Sequence, residues 1–382
     1  MPLKASRRGA IAPFIVMDVM RAANERAAQG DDVLHLEVGQ PSTPAPEPVL
    51  DAATAALRSD RLGYTDAFGL PALRKRIARS YAEVYDVDVD WRRIVATTGS
   101  SGGFVLAFLA AFDAGDRVAL ASPGYPAYRN ILSALGVEVV NLEVGSDTNF
   151  QPSPELLDEI DGRLDGLIVA SPANPTGTMI RRDEMAALVA WCGDRGVRLI
   201  SDEIYHGITY AEPAQTALAF TADAVVINSF SKYYSMTGWR LGWMVVPEEL
   251  TRSIECLAQN LFISPPSLSQ HAGIAAFDFR DLLDANVARY ARNRELLLRE
   301  LPRAGFGDLA AADGAFYLYA DVTQMTNDSP EFCQRMLAET GVAITPGINF
   351  DPNRGNRFVR FSFAGSTDEM AEAAQRLIDW RR

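Results

Sequence analysis

The feature that most constrains the fold is a regular alternation of short apolar runs and helical patterns between about residues 90 and 260. Seven runs are predicted to be strands, at residues 93–98, 117–121, 137–142, 166–170, 197–201, 224–228 and 242–246. Most of them lack polar alternation, which is typical of strands that are buried on both faces. The alternation therefore predicts an α/β protein with a mostly parallel sheet and helices on both of its faces.

Two of the intervening helices indicate what packs against that sheet. Residues 183–192 place apolar side chains on one helix face, and Asp183 is predicted to cap the first turn. Residues 104–112 are apolar all round, so this helix is predicted to be fully buried.

The pattern changes after about residue 280, where a charged helix over residues 282–301 precedes shorter elements. Strands are predicted at 315–321, 342–345 and 358–364, and helices at 331–339 and 368–380. This mixture predicts a second, smaller α+β domain. We therefore expect a large domain over residues 46–284 and a small domain formed by residues 1–45 and 285–382.

Composition narrows the classes of function. The 382 residues are 48% hydrophobic and carry a net charge of −13, so the chain is a poor candidate for binding nucleic acid or an anionic membrane. No run of about 18 apolar residues is present to span a membrane. The first residues lack the apolar core of a signal peptide.

Cysteines and histidines are few and scattered. Cys192, Cys256 and Cys333 form no CxxC pair, which predicts free thiols in a reducing compartment, and we expect a cytoplasmic protein. The three histidines form no HExxH motif or Cys/His cluster, so no metal site is predicted.

A glycine-rich segment, Thr98-Gly-Ser-Ser-Gly-Gly103, lies between a predicted strand and a predicted helix. Backbone N–H groups at such a turn, with the helix dipole behind them, can bind a phosphate. The same segment matches GxSxG, in which Ser101 would be the nucleophile of a serine hydrolase. That enzyme needs a histidine, and neither His206 nor His271 has a sequence context that favours this role. A turn without a ligand is the third interpretation.

A second segment runs from Ser229 to Gly242 and contains Lys232 directly after a buried predicted strand. A buried lysine is costly unless it is paired or neutral, and a neutral lysine can act as a Schiff-base nucleophile. Arg240, eight residues later, is a candidate to bind a phosphate. A surface lysine in a loop is the plain alternative. The fourteen-residue string Ser229-Phe-Ser-Lys-Tyr-Tyr-Ser-Met-Thr-Gly-Trp-Arg-Leu-Gly242 resembles the pyridoxal-phosphate attachment signature of class I and II aminotransferases.

Further motifs extend this resemblance to nearly the whole chain. In order they are Gly39-Gln-Pro, Tyr64-Thr with Gly69, the segment 99–102, Pro123-Gly-Tyr-Pro-Ala-Tyr128, Ser171-Pro-Ala-Asn174-Pro-Thr-Gly177, Asp202-Glu-Ile-Tyr205 and Phe358-Val-Arg360-Phe-Ser-Phe-Ala364. Each lies at an end of a predicted element, where a ligand would bind. The chain thus resembles the fold-type-I aminotransferases of the aspartate aminotransferase superfamily, and their fold is expected.

The resemblance implies pyridoxal 5′-phosphate as the cofactor and a role for each matching residue. Lys232 would bind it as a Schiff base and later move the proton of the substrate's Cα. Asp202 would pair with the pyridinium nitrogen, and Tyr125 would stack on the ring. Tyr205 and Asn174 would contact the phenolic oxygen, with a cis peptide bond after Asn174. The phosphate would be bound by Ser100, Ser101, Gly102, Ser229, Ser231 and Arg240.

The implied reaction moves an amino group between an α-amino acid and a 2-oxo acid by a ping-pong route. Arg360, Asn174 and the Gly39 amide would bind the substrate, because a buried arginine can hold its α-carboxylate with two hydrogen bonds. Tyr64 would reach the phosphate of a neighbouring subunit, which implies a homodimer with shared active sites. The apolar residues 11–16 are expected to cover the site, which favours neutral or aromatic donors over aspartate.

Other functions remain open at this stage. A C–S β-lyase of the same fold would also use Lys232, Asp202 and Arg360, so the motifs do not separate it from a transaminase. A cofactor-sensing transcription regulator would carry a DNA-binding domain before the first motif, and this acidic chain is not expected to have one. The serine hydrolase is the alternative from a different class.

Overall fold

The computed structural model describes residues 3–381, so residues 1, 2 and 382 of the predicted small domain lie outside the described residues. The α-helices of this part of the chain are α1 (Ile15–Ala28), α2 (Glu47–Ser59), α3 (Pro71–Tyr85), α4 (Gly99–Ala111), α5 (Pro126–Leu135), α6 (Pro154–Asp158), α7 (Arg182–Arg195), α8 (Glu248–Leu261), α9 (Ser267–Ala276), α10 (Arg280–Glu300), α11 (Ser329–Thr340) and α12 (Thr367–Arg381). The strands are β1 (Leu34–His35), β2 (Ile94–Thr97), β3 (Arg117–Ser122), β4 (Glu138–Glu143), β5 (Gly166–Ala170), β6 (Arg198–Asp202), β7 (Val225–Ser229), β8 (Gly242–Val245), β9 (Asp308–Leu309), β10 (Tyr317–Asp321), β11 (Val342–Ala343), β12 (Thr345–Pro346) and β13 (Phe358–Ser362).

The seven strands predicted between residues 93 and 246 all form, and they make one sheet in the order β2-β8-β7-β6-β5-β3-β4. The pairs from β4 through β3, β5 and β6 to β7 are parallel. Strand β8 is antiparallel to both of its neighbours, β7 and β2. The predicted α/β class with a mostly parallel sheet is confirmed.

Neighbouring residues along each strand pack on opposite faces of this sheet. In β5, Leu167 and Val169 belong to one hydrophobic cluster and Ile168 to another, and all three are buried. Because side chains alternate across a strand, two separate clusters mean that both faces of the sheet are covered. This burial explains why the strand sequences lack polar alternation.

A four-stranded antiparallel sheet, in the order β12-β13-β10-β9, organises the C-terminal part of the chain. Helices α10 and α12 pack against each other, and a third hydrophobic cluster joins them to this sheet. Strand β1 pairs in parallel with β11, which ties the N-terminal segment to the C-terminal part. The predicted boundary at residue 284 falls inside α10, and the division into two domains stays a prediction.

Two details of the predicted helices are wrong. Helix α7 begins at Arg182, so Asp183 lies within its first turn and Arg181 is the N-cap, whose N–H donates to Glu184 at 2.7 Å. Helix α4 begins at Gly99 rather than at residue 104, and Leu109 is 37% exposed although the helix is apolar all round. Glycine has a poor helix propensity, so the sequence alone indicated a turn where tertiary packing makes a helix.

The length and hydrophobicity of the helices determine whether any of them could cross a membrane. Within residues 3–381, no helix is long and apolar enough to cross a membrane. The most apolar one, α4, has 13 residues, which give a length of about 20 Å against the about 30 Å of a bilayer core.

Candidate active site

The carboxyl ends of parallel strands meet at one edge of the seven-stranded sheet, and a cavity lies there. The predicted site residues that follow parallel strands line it: Asp202 at the end of β6, Tyr125 after β3, Asn174 after β5 and Lys232 after β7. Arg240 joins them because β8 is antiparallel, which brings the residues before Gly242 to the same edge. Ligands bind at this edge in open α/β sheets.

Lys232 lies inside this cavity. Its Nζ donates to the backbone oxygen of Gly39 at 2.5 Å and is 5.7 Å from the ring centre of Tyr205. The pKa of Lys232 is lowered to about 8, mainly by burial and also by the positive charges of Arg360 and Arg240, while Asp202 opposes these effects. A pKa near neutrality lets this amine both take up and release a proton.

Asp202 is a buried carboxylate, 2% exposed, that faces the same cavity. Its Oδ1 accepts from the N–H of Ile204 at 3.1 Å, and its Oδ2 accepts from the hydroxyl of Tyr128. Burial raises the pKa of Asp202 to about 6, although both hydrogen bonds oppose the rise. The positive charge of Lys232 also opposes the rise, but among the described residues no lysine, arginine or histidine forms a direct ion pair with Asp202.

Arg360 is a buried cation that faces the same cavity. It lies on β13 and is 3% exposed, and its guanidinium lies 4.3 Å from the ring centre of Tyr317 and 4.7 Å from that of Phe350. One Nη donates to the backbone oxygen of Glu37, while Nε has no partner. In the described part of the chain no carboxylate pairs with Arg360, which excludes the internal salt bridge that would have made it structural. A buried guanidinium without a counterion is suited to a carboxylate ligand.

Asn174 is oriented by the same arginine. Its Oδ1 accepts from Nη1 of Arg360 at 2.8 Å, and the peptide bond to Pro175 is cis, as expected. Because arginine can only donate, this contact fixes which amide atom faces Arg360. The Nδ2 group of Asn174 is thereby left as a donor to the cavity.

The N-terminus of α4 forms an anion site beside these residues. Ser100 and Ser101 line the cavity in the first turn of α4. Gly99 has a φ of +72°, and a Cβ there would lie 2.5 Å from an Nη atom of Arg240. The guanidinium is therefore packed against the helix start, where free N–H groups and the helix dipole already favour an anion.

Three predicted cofactor residues do not line the cavity. Gly102 lies in α4 with its missing side chain facing Thr98, and Ser229 is buried behind Ser231, whose Oγ accepts from Ser229 at 2.9 Å. Tyr64 is 84% exposed. Ser231 lines the cavity and Ser229 contacts it from behind, whereas Gly102 and Tyr64 do not line the cavity.

Two further tyrosines belong to the site although the motifs did not assign them. Tyr128 donates to Asp202, and its position three residues after Tyr125, in the first turn of α5, was a usable signal. Tyr317 hydrogen-bonds the hydroxyl of Tyr205 at 2.6 Å and lines the cavity. Its position in a distant strand gave no local signal.

The hypothesis of a serine hydrolase requires a histidine base next to Ser101. Within residues 3–381, Ser101 has no histidine partner. His35 bonds Glu37, His206 bonds Tyr85 and the Ser171 carbonyl, and His271 lies 3.6 Å from Asp60. All three imidazoles are therefore engaged elsewhere, which removes the support for Ser101 as a nucleophile.

Comparison with known proteins agrees with this geometry. Residues 31–377 match the family described as "Aminotransferase class I and II". The chain is 55% identical over 381 residues to a valine–pyruvate aminotransferase of Mycobacterium tuberculosis, covering 99% of this chain and 98% of that protein. It is 32% identical to an aspartate aminotransferase of Thermotoga maritima, covering 95% of each. A crystal structure of an aminotransferase from Mycobacterium tuberculosis superposes with a TM-score of 0.97 at 54% identity, covering 99% of each chain.

The fold and the site thus define a fold-type-I enzyme, and the chain belongs to the class I and II aminotransferases. It is a transaminase, as the sequence predicted. Membership of this family implies pyridoxal phosphate as the cofactor.

The residues at the cavity fit that cofactor. A phosphate group suits the helix start with Ser100, Ser101 and Arg240, and a protonated ring nitrogen suits Asp202, which has no direct ion-pair partner in the described part of the chain. Lys232 supplies an amine whose lowered pKa favours the neutral, reactive form.

Proposed function

We propose that this enzyme binds pyridoxal 5′-phosphate through Lys232 and transfers the amino group of a neutral α-amino acid to a 2-oxo acid by a ping-pong route. One observation carries the proposal. A buried carboxylate, Asp202, and a buried guanidinium, Arg360, face the same cavity as Lys232, and neither has a direct ion-pair partner among the described residues. Two uncompensated buried charges of opposite sign are costly unless a ligand supplies both partners.

The residues that bind the cofactor act as follows. Ser100, Ser101 and Arg240 would hold its phosphate, with Ser231 beside them, and Tyr125 would pack against its ring. Asp202 keeps a proton on the ring nitrogen, while Tyr128 holds the carboxylate in place. The cofactor, when bound, supplies the electron sink that lets an α-amino acid lose its Cα proton.

Four residues bind the substrate and move its proton. Arg360 binds the α-carboxylate and so orients the substrate, and Asn174 and Tyr205 donate to the ring oxygen of the cofactor. With the cofactor bound, Lys232 Nζ would be the base that takes the proton from the substrate's Cα and the acid that gives it back. Its pKa of about 8 allows both directions near neutral pH.

The choice of a neutral donor rests on what covers the cavity. Phe14, Val16, Met17, Val38 and Ile204 form its apolar part. The only cations that line the cavity in residues 3–381 are Lys232, Arg240 and Arg360, and each already has a role.

Arg7 and Arg8, near the start of the covering segment, are exposed and do not line the cavity. A second carboxylate on the substrate would therefore be buried without a partner. The similarity to a valine–pyruvate aminotransferase favours the same donors, with pyruvate as a candidate acceptor alongside 2-oxoglutarate.

We further propose a homodimer in which Tyr64 reaches the phosphate of the other subunit. Tyr64 is 84% exposed and contributes nothing to its own cavity, as expected of a residue that acts across an interface. Cys192, Cys256 and Cys333 are free thiols, which supports a cytoplasmic, reducing environment.

The donor preference is tested with a panel of amino acids added to the loaded enzyme without acceptor. Valine, alanine, phenylalanine, aspartate and glutamate are compared by the rate at which the absorbance of the cofactor changes. We expect kcat/KM for the best neutral donor to exceed that of aspartate at least about tenfold. The Met17→Arg variant adds a cation to the cover and should raise the rate with aspartate selectively. Aspartate or glutamate as the best donor of the unaltered enzyme would overturn the preference but not the transaminase assignment.

A further inference from the structure

Tyr317 lies where three groups of the proposed active site meet. Its hydroxyl is 2.6 Å from that of Tyr205, and the guanidinium of Arg360 lies over its ring. A Cβ on Gly39 would lie 1.8 Å from the Tyr317 hydroxyl, so the missing side chain at position 39 provides the room for this group. Tyr317 is 1% exposed, yet its side chain reaches the cavity.

The strand register explains this placement. In the antiparallel pair of β10 and β13, Tyr319 is opposite Arg360 and Tyr317 is opposite Ser362. Tyr317 and Arg360 are therefore diagonal neighbours on one face of the sheet, within reach of each other. The stacked guanidinium keeps the Tyr317 ring in a single orientation.

The hydrogen positions in the tyrosine pair follow from simple counting. Each phenol has one hydrogen to donate. Under the proposed function, Tyr205 donates its hydrogen to the ring oxygen of the cofactor, so it has none left for Tyr317. Among the described residues, the Tyr317 hydroxyl has Tyr205 as its only hydrogen-bond partner. Tyr317 must then be the donor in the 2.6 Å contact.

Both phenols remain protonated at neutral pH. Burial raises the pKa of Tyr205 well above its usual value, and burial also raises the pKa of Tyr317, although Arg360 opposes the second rise. The pair is thus a chain of two neutral donors that ends at the cofactor. Donors in such a chain polarise one another, so the terminal hydrogen bond is strengthened.

We propose that Tyr317 is a positioning residue that donates to Tyr205 and thereby directs the Tyr205 hydrogen to the ring oxygen of the cofactor. The inference rests on the proposed function, because it requires the cofactor oxygen to lie next to Tyr205. The inference predicts a change in the pKa of the bound cofactor as well as a change in the reaction rate.

The test is a pH titration of the visible absorbance of the loaded enzyme without substrate. That absorbance changes with the proton that the ring oxygen shares with the Lys232 nitrogen. A stronger hydrogen bond from Tyr205 stabilises the oxygen without that proton, so the Tyr317→Phe variant should raise the pKa of the absorbance change by about 0.5. The phenyl ring still stacks under Arg360, so KM for the donor should stay unchanged while kcat falls.

A double-mutant cycle separates this role from a purely structural one. In the Tyr205→Phe background the chain is already broken, so adding Tyr317→Phe should cause no further pKa change. Tyr319→Phe is the matched control, because Tyr319 is a buried tyrosine of the same strand whose hydroxyl has no partner, and its pKa change should be zero. An unchanged pKa in Tyr317→Phe, or an equal change in both backgrounds, would overturn the inference.

The same preparations distinguish this failure from failure of the proposed function. Borohydride reduction followed by peptide mass spectrometry identifies the lysine that binds the cofactor. A protein without cofactor attached to Lys232 would refute the proposed function, whereas attachment with an unchanged titration in Tyr317→Phe would refute only the role of Tyr317.

Discussion

Replacing Asp202 with asparagine is expected to make the cofactor-free protein more stable and the loaded enzyme much less active. Asp202 is 2% exposed and has no ion-pair partner among the described residues, and burial raises its pKa from 3.8 to about 6. A raised carboxyl pKa means that the folded protein disfavours the carboxylate relative to the unfolded chain. Asparagine removes that charge at every pH.

The size of the gain follows from the pKa change. A shift from 3.8 to about 6 corresponds to about 3 kcal/mol at pH 7. Between these two pKa values the folded chain binds more protons than the unfolded chain, so the free energy of unfolding falls as pH rises through this window. The advantage of the variant should therefore be about 3 kcal/mol at pH 7 and about half of that at pH 5.

Thermal midpoints of the cofactor-free proteins measure this advantage. We expect the Asp202→Asn midpoint to exceed that of the unaltered protein by a few degrees at pH 7 and by less at pH 5. After loading, amino transfer should be slower by about 100-fold or more, because an uncharged partner no longer keeps the ring nitrogen protonated. Asp351→Asn is the matched control, since Asp351 is equally buried but pairs with Arg354 at 3.0 Å, and its loss should destabilise the protein. An Asp202→Asn protein that is less stable, with the same difference at both pH values, would refute the reasoning.

Three other variants and measurements test the remaining assignments. Arg360→Lys keeps the positive charge but loses the planar, two-bond contact with a carboxylate, so kcat/KM for an α-amino acid should fall about 100- to 1000-fold. The slow reaction of the corresponding amine, which has the same side chain but no carboxylate, should not change. An equal loss with both compounds would count against carboxylate binding by Arg360. The pKa of Lys232 is measured in the cofactor-free protein by labelling with an amine-specific reagent, followed by mass spectrometry. The extent of labelling should rise with pH through a midpoint of about 8, and a midpoint at the usual 10.5 would show that the amine is not desolvated. Sedimentation should give a dimer of twice 41.7 kDa. The Tyr64→Ala variant should bind the cofactor more weakly and remain a dimer. A monomer that turns over at the full rate would contradict the shared active site.

Much of the fold was predictable because the burial of the central strands determines which residues their sequences contain. The inner strands of the main sheet are covered on both faces, so their sequences are apolar without alternation, as at Leu167, Ile168 and Val169, whereas the edge strand β4 keeps exposed polar residues. The site residues after those strands followed in turn, because the carboxyl ends of parallel strands share one edge. Asp202, Asn174 and Lys232 reached the cavity for this reason.

What escaped prediction depends on tertiary geometry. Tyr317 lies beside Arg360 because β10 pairs with β13 in one particular register, and its contact with Tyr205 joins distant parts of the chain, so no local pattern encodes either. Ser229 and Ser231 have similar sequence contexts, yet only Ser231 lines the cavity. The missing ion pair of Arg360 is likewise a property of the packed structure, and it turns a plausible structural arginine into a candidate ligand site.

The most direct test of the account is the stoichiometry of a half-reaction. The loaded enzyme is mixed with excess valine and no acceptor, and the 2-oxo acid, ammonia and cofactor absorbance are followed together. The account predicts one equivalent of 2-oxo acid per subunit, no ammonia, a complete change of the absorbance, and renewed turnover when pyruvate is added. The same measurement is repeated with a cysteine-derived donor that carries a leaving group on its β-carbon. Continuous release of ammonia and 2-oxo acid from that donor without an acceptor, together with no conversion of the cofactor by valine, would contradict transamination as the main activity and favour elimination.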